Sequence, residues 1–299
     1  MADTASVSPS FINRQFIEKV ENGFVKEAAV SATSFIRDVL REEGFTRKIF
    51  TPIEITDDQL DKDEETDKPK KVIEKEPEST ALYVSFRGLP ESKYFTGKRF
   101  AIFFAKIQSQ KFTKSIFELK TYDNDIRKIL SDNSVRDIQA AEDGKWIDTV
   151  NTVVAANPTE QDFSLSGGVS KINVAESLKF LPKLKRPTGC MLMNDVTSKE
   201  LLKWDSVDIG DAAVTDQYYK GLTVGTVFGI KALFTIKREI VPDDVIYFFS
   251  TEDFLGKFFI LQDATVYIKH EADMLEFFAY ESIGIGLGNT KSVIRVTYT

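Results

Sequence analysis

The string "GIGLGN", residues 284–289, sets three glycines at alternate positions. A dinucleotide-binding loop of similar look needs a strand before it and a helix after it. It also needs an acidic residue about 20 positions on for the ribose. Ten residues follow Asn289, and "KSVIRVTYT" is rich in β-branched residues and reads as strand. No GxxxxGK[ST] phosphate loop occurs anywhere in the chain. The string is therefore read as strand, with Gly284, Gly286 and Gly288 on one face and Ile283, Ile285 and Leu287 on the other. Glycine weakens a strand, so three in period two call for a close neighbour, normally another backbone. The expected neighbour is the longest helical segment of the chain.

That segment lies within "YDNDIRKILSDNSVRDIQAAEDGKWIDTVNTVVAANP", where Ile126, Ile129, Leu130, Ile138, Ala141, Ile147, Val150 and Val154 recur at helical spacing. Residues 131–134 are expected to interrupt it, with Ser134 and Asp137 as a capping pair. From Asn133 to the stop at Asn157-Pro158 the helix would run about 23 residues, roughly 35 Å. Glu142 and Asp143 are adjacent, which aims them apart on a helix and makes them a poor catalytic carboxylate pair.

Composition narrows the function classes. With 299 residues, 42% apolar and 28% charged, the chain can build a sizeable core. The 24 phenylalanines cluster in runs such as "RFAIFFAKI" and "LEFFAYESI", as strand cores do. A single cysteine, Cys190 in apolar "GCMLMN", excludes an intrachain disulfide and any multi-cysteine metal site, and reads as a buried strand thiol. The one histidine, His270, reads as a strand residue near a turn. No metal, cofactor or catalytic constellation is found, and the chain is read as a non-enzyme. The start is polar and no apolar run reaches the ~18 residues of a membrane span, so no membrane role is expected. Residues 57–78 hold ten acidic and five basic residues, a net −5 of the chain's −7. The remainder is near neutral, with no basic, aromatic-laced patch for nucleic-acid readout.

Along the chain, residues 1–10 read as a flexible arm and 11–40 as an amphipathic helix ending near Gly44. Residues 57–78 read as a solvated, mobile loop tip. Strands are expected at 80–87 ("TALYVSFR") and 98–107 ("KRFAIFFAKI"), flanking a turn-rich connector. Together these form a two-stranded excursion, marginal by itself in water and in need of a partner surface. Further on, "GCMLMN" is a buried strand, "TSKELLKW" a helix capped by Thr197, and "AAVTDQYYKG" a helix. "GTVFGIKALFTI" reads as a strand pair turning on glycine. "VIYFFS", "KFFILQ" and "TVYIKH" read as separate strands, and the chain closes with a strand pair turning at Asn289-Thr290.

This succession resembles the major capsid proteins of tailed bacteriophages. "YDNDIRKILSDNSVRDIQAAEDGKWIDTVN" is similar to that family's spine helix, and "GCMLMNDVTSKELLKW" to its apical strand and helix. The stretch from "GTVFGIKALFTI" to "SVIRVTY" is similar to its closing section. The resemblance implies an α+β, Hong Kong 97-like fold. Its parts would be an N-terminal arm (1–48), an extended β-hairpin loop (49–110) and a spine-helix peripheral domain (111–185). An α/β apical domain (186–262) and return strands of the peripheral domain (263–299) would complete it. It implies a virion structural protein, assembled in the host cytoplasm into hexamers and pentamers of an icosahedral head. That head would enclose double-stranded DNA without sequence-specific binding, with scaffolding, portal and decoration proteins as partners. The arm would clasp an adjacent subunit, and the loop would lie across a neighbour through Arg87, Lys93, Lys98 and Arg99. No large scaffolding domain precedes the arm in this sequence, so scaffolding is expected from a separate protein or a short removed piece. Lysine–asparagine crosslinking, known in some relatives, is not carried over. The charged tip would serve a three-fold contact or a decoration protein. Two alternatives differ in kind. One is an encapsulin-type compartment shell, whose loop is normally shorter and lacks a long acidic insertion. The other is a soluble enzyme using carboxylates alone.

Overall fold

The computed structural model describes residues 44–62, 66–77, 99–120, 126–204 and 224–299, with isolated positions between 81 and 98. The expected arm helix, the helix at 212–221, and Arg87 and Lys93 lie outside the described residues.

Thirteen strands are described: β1 Ile53–Glu54, β2 Lys70–Glu74, β3 Arg99–Phe103, β4 Ala105–Gln108, β5 Phe112–Ser115, β6 Asp162–Leu165, β7 Thr188–Asn194, β8 Val224–Val227, β9 Ile230–Thr235, β10 Val245–Ser250, β11 Gly256–Glu271, β12 Met274–Leu287 and β13 Val293–Tyr298. The first sheet is ordered β1-β11-β12-β4, with β5 also on β12. The second is ordered β6-β13-β10-β7-β9-β8, and β2 pairs β3 in a separate ribbon.

The helix Ile126–Ala156 has 31 residues, about 46 Å at 1.5 Å per residue. It passes through residues 131–134 without the expected break, and Ser134 is buried there. It stops where Asn157-Pro158 forbids continuation, because the residue before proline is pushed out of helical geometry. Its buried face, Ile138, Trp146, Ile147, Val150 and Val154, shares one core with both large sheets. On the first sheet that core takes Phe258 and Ile260 of β11 and Phe277, Ala279, Ile283 and Ile285 of β12. On the second it takes Cys190, Leu192, Tyr247 and Phe249. The far face of the second sheet forms another core from Met191, Met193, Ile246, Phe248, Ile294 and Val296, closed by Val174 and Leu181. β10 is thus buried on both sides, which explains the unbroken apolar run "VIYFFS".

Several expectations are corrected. "KFFILQ" and "TVYIKH" are one 16-residue strand, β11, kept continuous across register shifts between Ile260 and Thr265. β12 and β13 do not form a hairpin, because they pair in different sheets and the chain crosses between them through Thr290–Ser292. This moves two segments relative to the expected division. Residues 256–262 belong to the first sheet with the rest of β11, while 293–298 sit inside the second sheet between β6 and β10. Asn194, not Thr197, caps the helix Asp195–Glu200, its side chain accepting from the Thr197 N–H at 2.7 Å.

The loop also differs. Strand β3 pairs with β2, inside the charge-dense segment read as a mobile tip, because Val72 and Ile73 give that segment an apolar edge. Among the described positions between 81 and 88 no strand is present. The expected strand 98–107 divides at Phe104: β3 belongs to the ribbon and β4 to the first sheet on β12.

Candidate functional site

Two joints tie the loop and the arm-exit segment to the body. The first is the glycine face of β12. Odd positions of that strand face the long helix and even ones face the loop, so the glycines lie away from the helix. A Cβ at Gly284 would sit 3.0 Å from Phe104 and 3.1 Å from Ile102, one at Gly286 2.5 Å from Ile102, and one at Gly288 2.8 Å from Phe100. The expectation that this face packs on the spine helix is therefore wrong. Helix contact falls to Ile283 and Ile285, and the neighbours of the glycines are side chains of β3 and Phe104. Ile102 and Phe104 are buried there with Ile55 and Phe259, and Leu60, Ile73, Phe100 and Leu261 pack around them. The missing side chains of β12 form a socket, and the ribbon base fills it.

The second joint lies at residues 45–50. Thr46–Ile49 form one helical turn. Phe50 meets Trp146 edge-on with ring centroids 4.8 Å apart. The Thr46 backbone N–H and hydroxyl both donate to Asp143 Oδ1, at 3.0 and 2.7 Å, and Lys237 Nζ donates to Asp143 Oδ2 at 2.7 Å. Arg47 Nε donates to Glu142 at 3.1 Å, Nη2 to Glu281, and Nη1 lies 3.9 Å from Asp263. The Arg47, Glu142 and Glu281 side chains are at most 3% exposed. Burial pushes the Glu142 carboxyl up to about 7, with Arg47 opposing and Asp143 adding to the rise. Burial, joined by the charge of Glu142, pushes Glu281 up to about 8 against the pull of Arg47.

Glu142 and Asp143 are thus both buried. The helix is covered on two sides, so adjacent residues are both buried, Glu142 toward β12 and Asp143 toward Lys237. Arg47 was not singled out in the sequence. A signal existed at its partner: Glu281 occupies an inward position in the series Leu275, Phe277, Ala279, Ile283, Ile285, and a charge in a buried register requires a buried counter-charge.

Of the four candidate loop contacts, Lys98 and Arg99 are described. The Lys98 carbonyl accepts from the Lys75 N–H at 2.8 Å. Arg99 pairs with Glu74 of its own chain at 2.8 Å, on an exposed surface. Cys190 is buried and its thiol is pushed up to about 12 by that burial, so it stays protonated. Among the described residues no helix is long and apolar enough to cross a membrane, and no group of three or more His, Cys, Asp or Glu side chains is placed to hold a metal ion.

No protein-family model and no curated protein matches the chain. Solved structures do match. The Mycobacterium phage Bobi structure aligns with TM-score 0.59 at 12% identity, covering 86% of this chain and 90% of that one. The mature capsid of bacteriophage PhiM1 aligns at 0.57 and 8%, covering 86% and 87%. A virus-like particle from Pyrococcus furiosus aligns at 0.54 and 12%, covering 90% and 99%. At these identities the likeness is one of fold, and it covers 86–90% of this chain. The chain has the Hong Kong 97-like fold of tailed-phage major capsid proteins.

Proposed function

We propose that this chain is the shell-forming subunit of a tailed-phage head, assembling into hexamers and pentamers around double-stranded DNA. The observation that carries the reading, beside the fold, is the outer part of the loop. Tyr83, Phe86 and Tyr94 are essentially fully exposed, within a dozen residues of one another. Scattered apolar residues on a monomer surface are ordinary, but three solvated aromatic rings on one excursion mark an interaction surface. β3 lies on its own body through Phe100 and Ile102, and the exposed rings that precede it are left for the surface of a neighbouring copy. Many modest contacts per subunit then add up through multivalency rather than through one tight interface.

The near-neutral body fits a wall that confines DNA without gripping its phosphates, each of which would require a cation. Scaffolding, portal and decoration proteins are the partners such a head requires. Negative-stain electron microscopy and light scattering of the expressed full chain test the proposal. Shells or capsomer rings are expected, and a uniform 33.8 kDa monomer overturns it.

A compartment shell is the second reading, favoured by the match to a virus-like particle that is covered over 99% of its length. The two part on content. A phage head made during infection holds nuclease-protected DNA, whereas a compartment holds protein cargo.

A further inference from the structure

The buried joint around Arg47 is out of charge balance. Four carboxylates meet there: Glu142 and Asp143 from the long helix, Asp263 from β11 and Glu281 from β12. Among the described residues two cations face them, Arg47 from the turn Thr46–Ile49 and Lys237 from the segment after β9. Asp143 is served locally by Lys237 and by the N–H and hydroxyl of Thr46. Arg47 is hydrogen-bonded to both buried glutamates, with Asp263 standing off at 3.9 Å. Glu281 is wholly buried, and its Oε2 accepts no hydrogen bond from the described residues. An ionised carboxylate oxygen without a donor is among the costliest groups to bury, whereas a neutral carboxyl in the same place leaves only one hydroxyl unused.

We propose that Glu142 and Glu281 share one proton beneath Arg47 at neutral pH, and that losing it unseats residues 45–50, the segment leading to the arm, from the long helix. The joint is a proton-binding site, and the segment is the part that yields. β12, the helix and residues 45–50 share one apolar core, to which the segment adds Phe45, Ile49 and Phe50, but the segment is a single helical turn set against a 31-residue helix and a 14-residue strand. The sign follows from the raised carboxyls. Between the ordinary glutamate range and about pH 8 the folded chain binds a proton that the unfolded chain has lost, so stability falls as pH rises through that window. The chain's single histidine, His270, is exposed at the far end of β11, away from the joint.

The test uses the full-length protein in one oligomeric state. The wild-type melting temperature should fall by about 3–4 °C between about pH 6 and pH 8, from one proton's linkage in a chain of this size. Glu281→Gln, a permanent mimic of the neutral form, should flatten that dependence. Tryptic cleavage after Arg47 or Lys48 at about pH 8.5 should be roughly tenfold faster in wild type than in E281Q, and equal at about pH 6. Equal pH slopes, or equal cleavage at both values, overturn the proposal. Should E281Q fail to fold, wild type labelled with carbon-13 glutamate decides by infrared difference spectroscopy. A protonated carboxyl band lost between about pH 6 and 9 supports the shared proton, and its absence refutes it.

Discussion

Replacing Gly286 with alanine tests the socket most directly. Its backbone is not in the left-handed region, so the added methyl costs nothing conformationally and the effect is steric. The new Cβ would stand 2.5 Å from Ile102 Cγ1 and 2.8 Å from Cδ1, against the roughly 3.5–4.0 Å of an ordinary carbon contact. Ile102 must move by about 1 Å, but it is 2% exposed and packed with Phe104 and Phe259, and Cγ1 lies too near the backbone to swing clear. Overpacking of this kind costs about 1–3 kcal/mol. The strain falls on the ribbon base and not on the helix, so the sensitive measurement is hydrogen exchange of amides 99–104. These should open roughly 5- to 150-fold more often, while helix amides at 138–154 stay unchanged. Ile102→Ala alone removes a buried side chain at about 2–5 kcal/mol. In the double variant the new methyl occupies part of the vacated space, so the summed single costs should exceed the double cost by about 1 kcal/mol. Exchange within twofold of wild type in Gly286→Ala, additivity within about 0.5 kcal/mol, or a response in the helix instead would each refute the socket.

Three further outcomes are expected. Arg47→Met leaves the buried carboxylates without their guanidinium and should destabilise the chain by about 3–5 kcal/mol in thermal melts, with much of the loss recovered when Glu142→Gln and Glu281→Met are added. Cys190 should resist thiol reagents at about pH 8 in the folded protein and react at once in denaturant, since burial both hides it and keeps it protonated. Gly229 closes the β8–β9 turn at φ +76°, so Gly229→Val should cost about 1 kcal/mol or more, read from the shift in a urea midpoint.

β7, the β8–β9 pair, β10, β12, β13 and the long helix were legible because each rests on local periodicity. "GIGLGN" declared two faces through its parity alone. Parity does not say what covers each face, however, and the glycines proved to meet the loop rather than the helix. The pairing of β3 was hidden for a related reason. Val72 and Ile73 sit in a run of lysines and glutamates, where composition argues for solvent and only the partner strand argues otherwise. The charged joint was least visible. Arg47 and Glu281 are 234 positions apart, and nothing local marks either as belonging to the other. Adjacency showed that Glu142 and Asp143 aim apart, but not that both are buried, because the sequence does not reveal that the helix is wrapped on two sides.

The glycine socket also acts as a ruler. Antiparallel pairing of β4 on β12 sets Ala105 opposite Ile283, and the same count carried onward sets Phe104, Ile102 and Phe100 against Gly284, Gly286 and Gly288. Sliding the ribbon by one repeat of two residues, about 7 Å, would bring Phe104 onto Ser282, where a side chain stands in the way. Three vacancies and three knobs therefore admit one alignment. The excursion that leaves this notch therefore starts from one fixed position along β12.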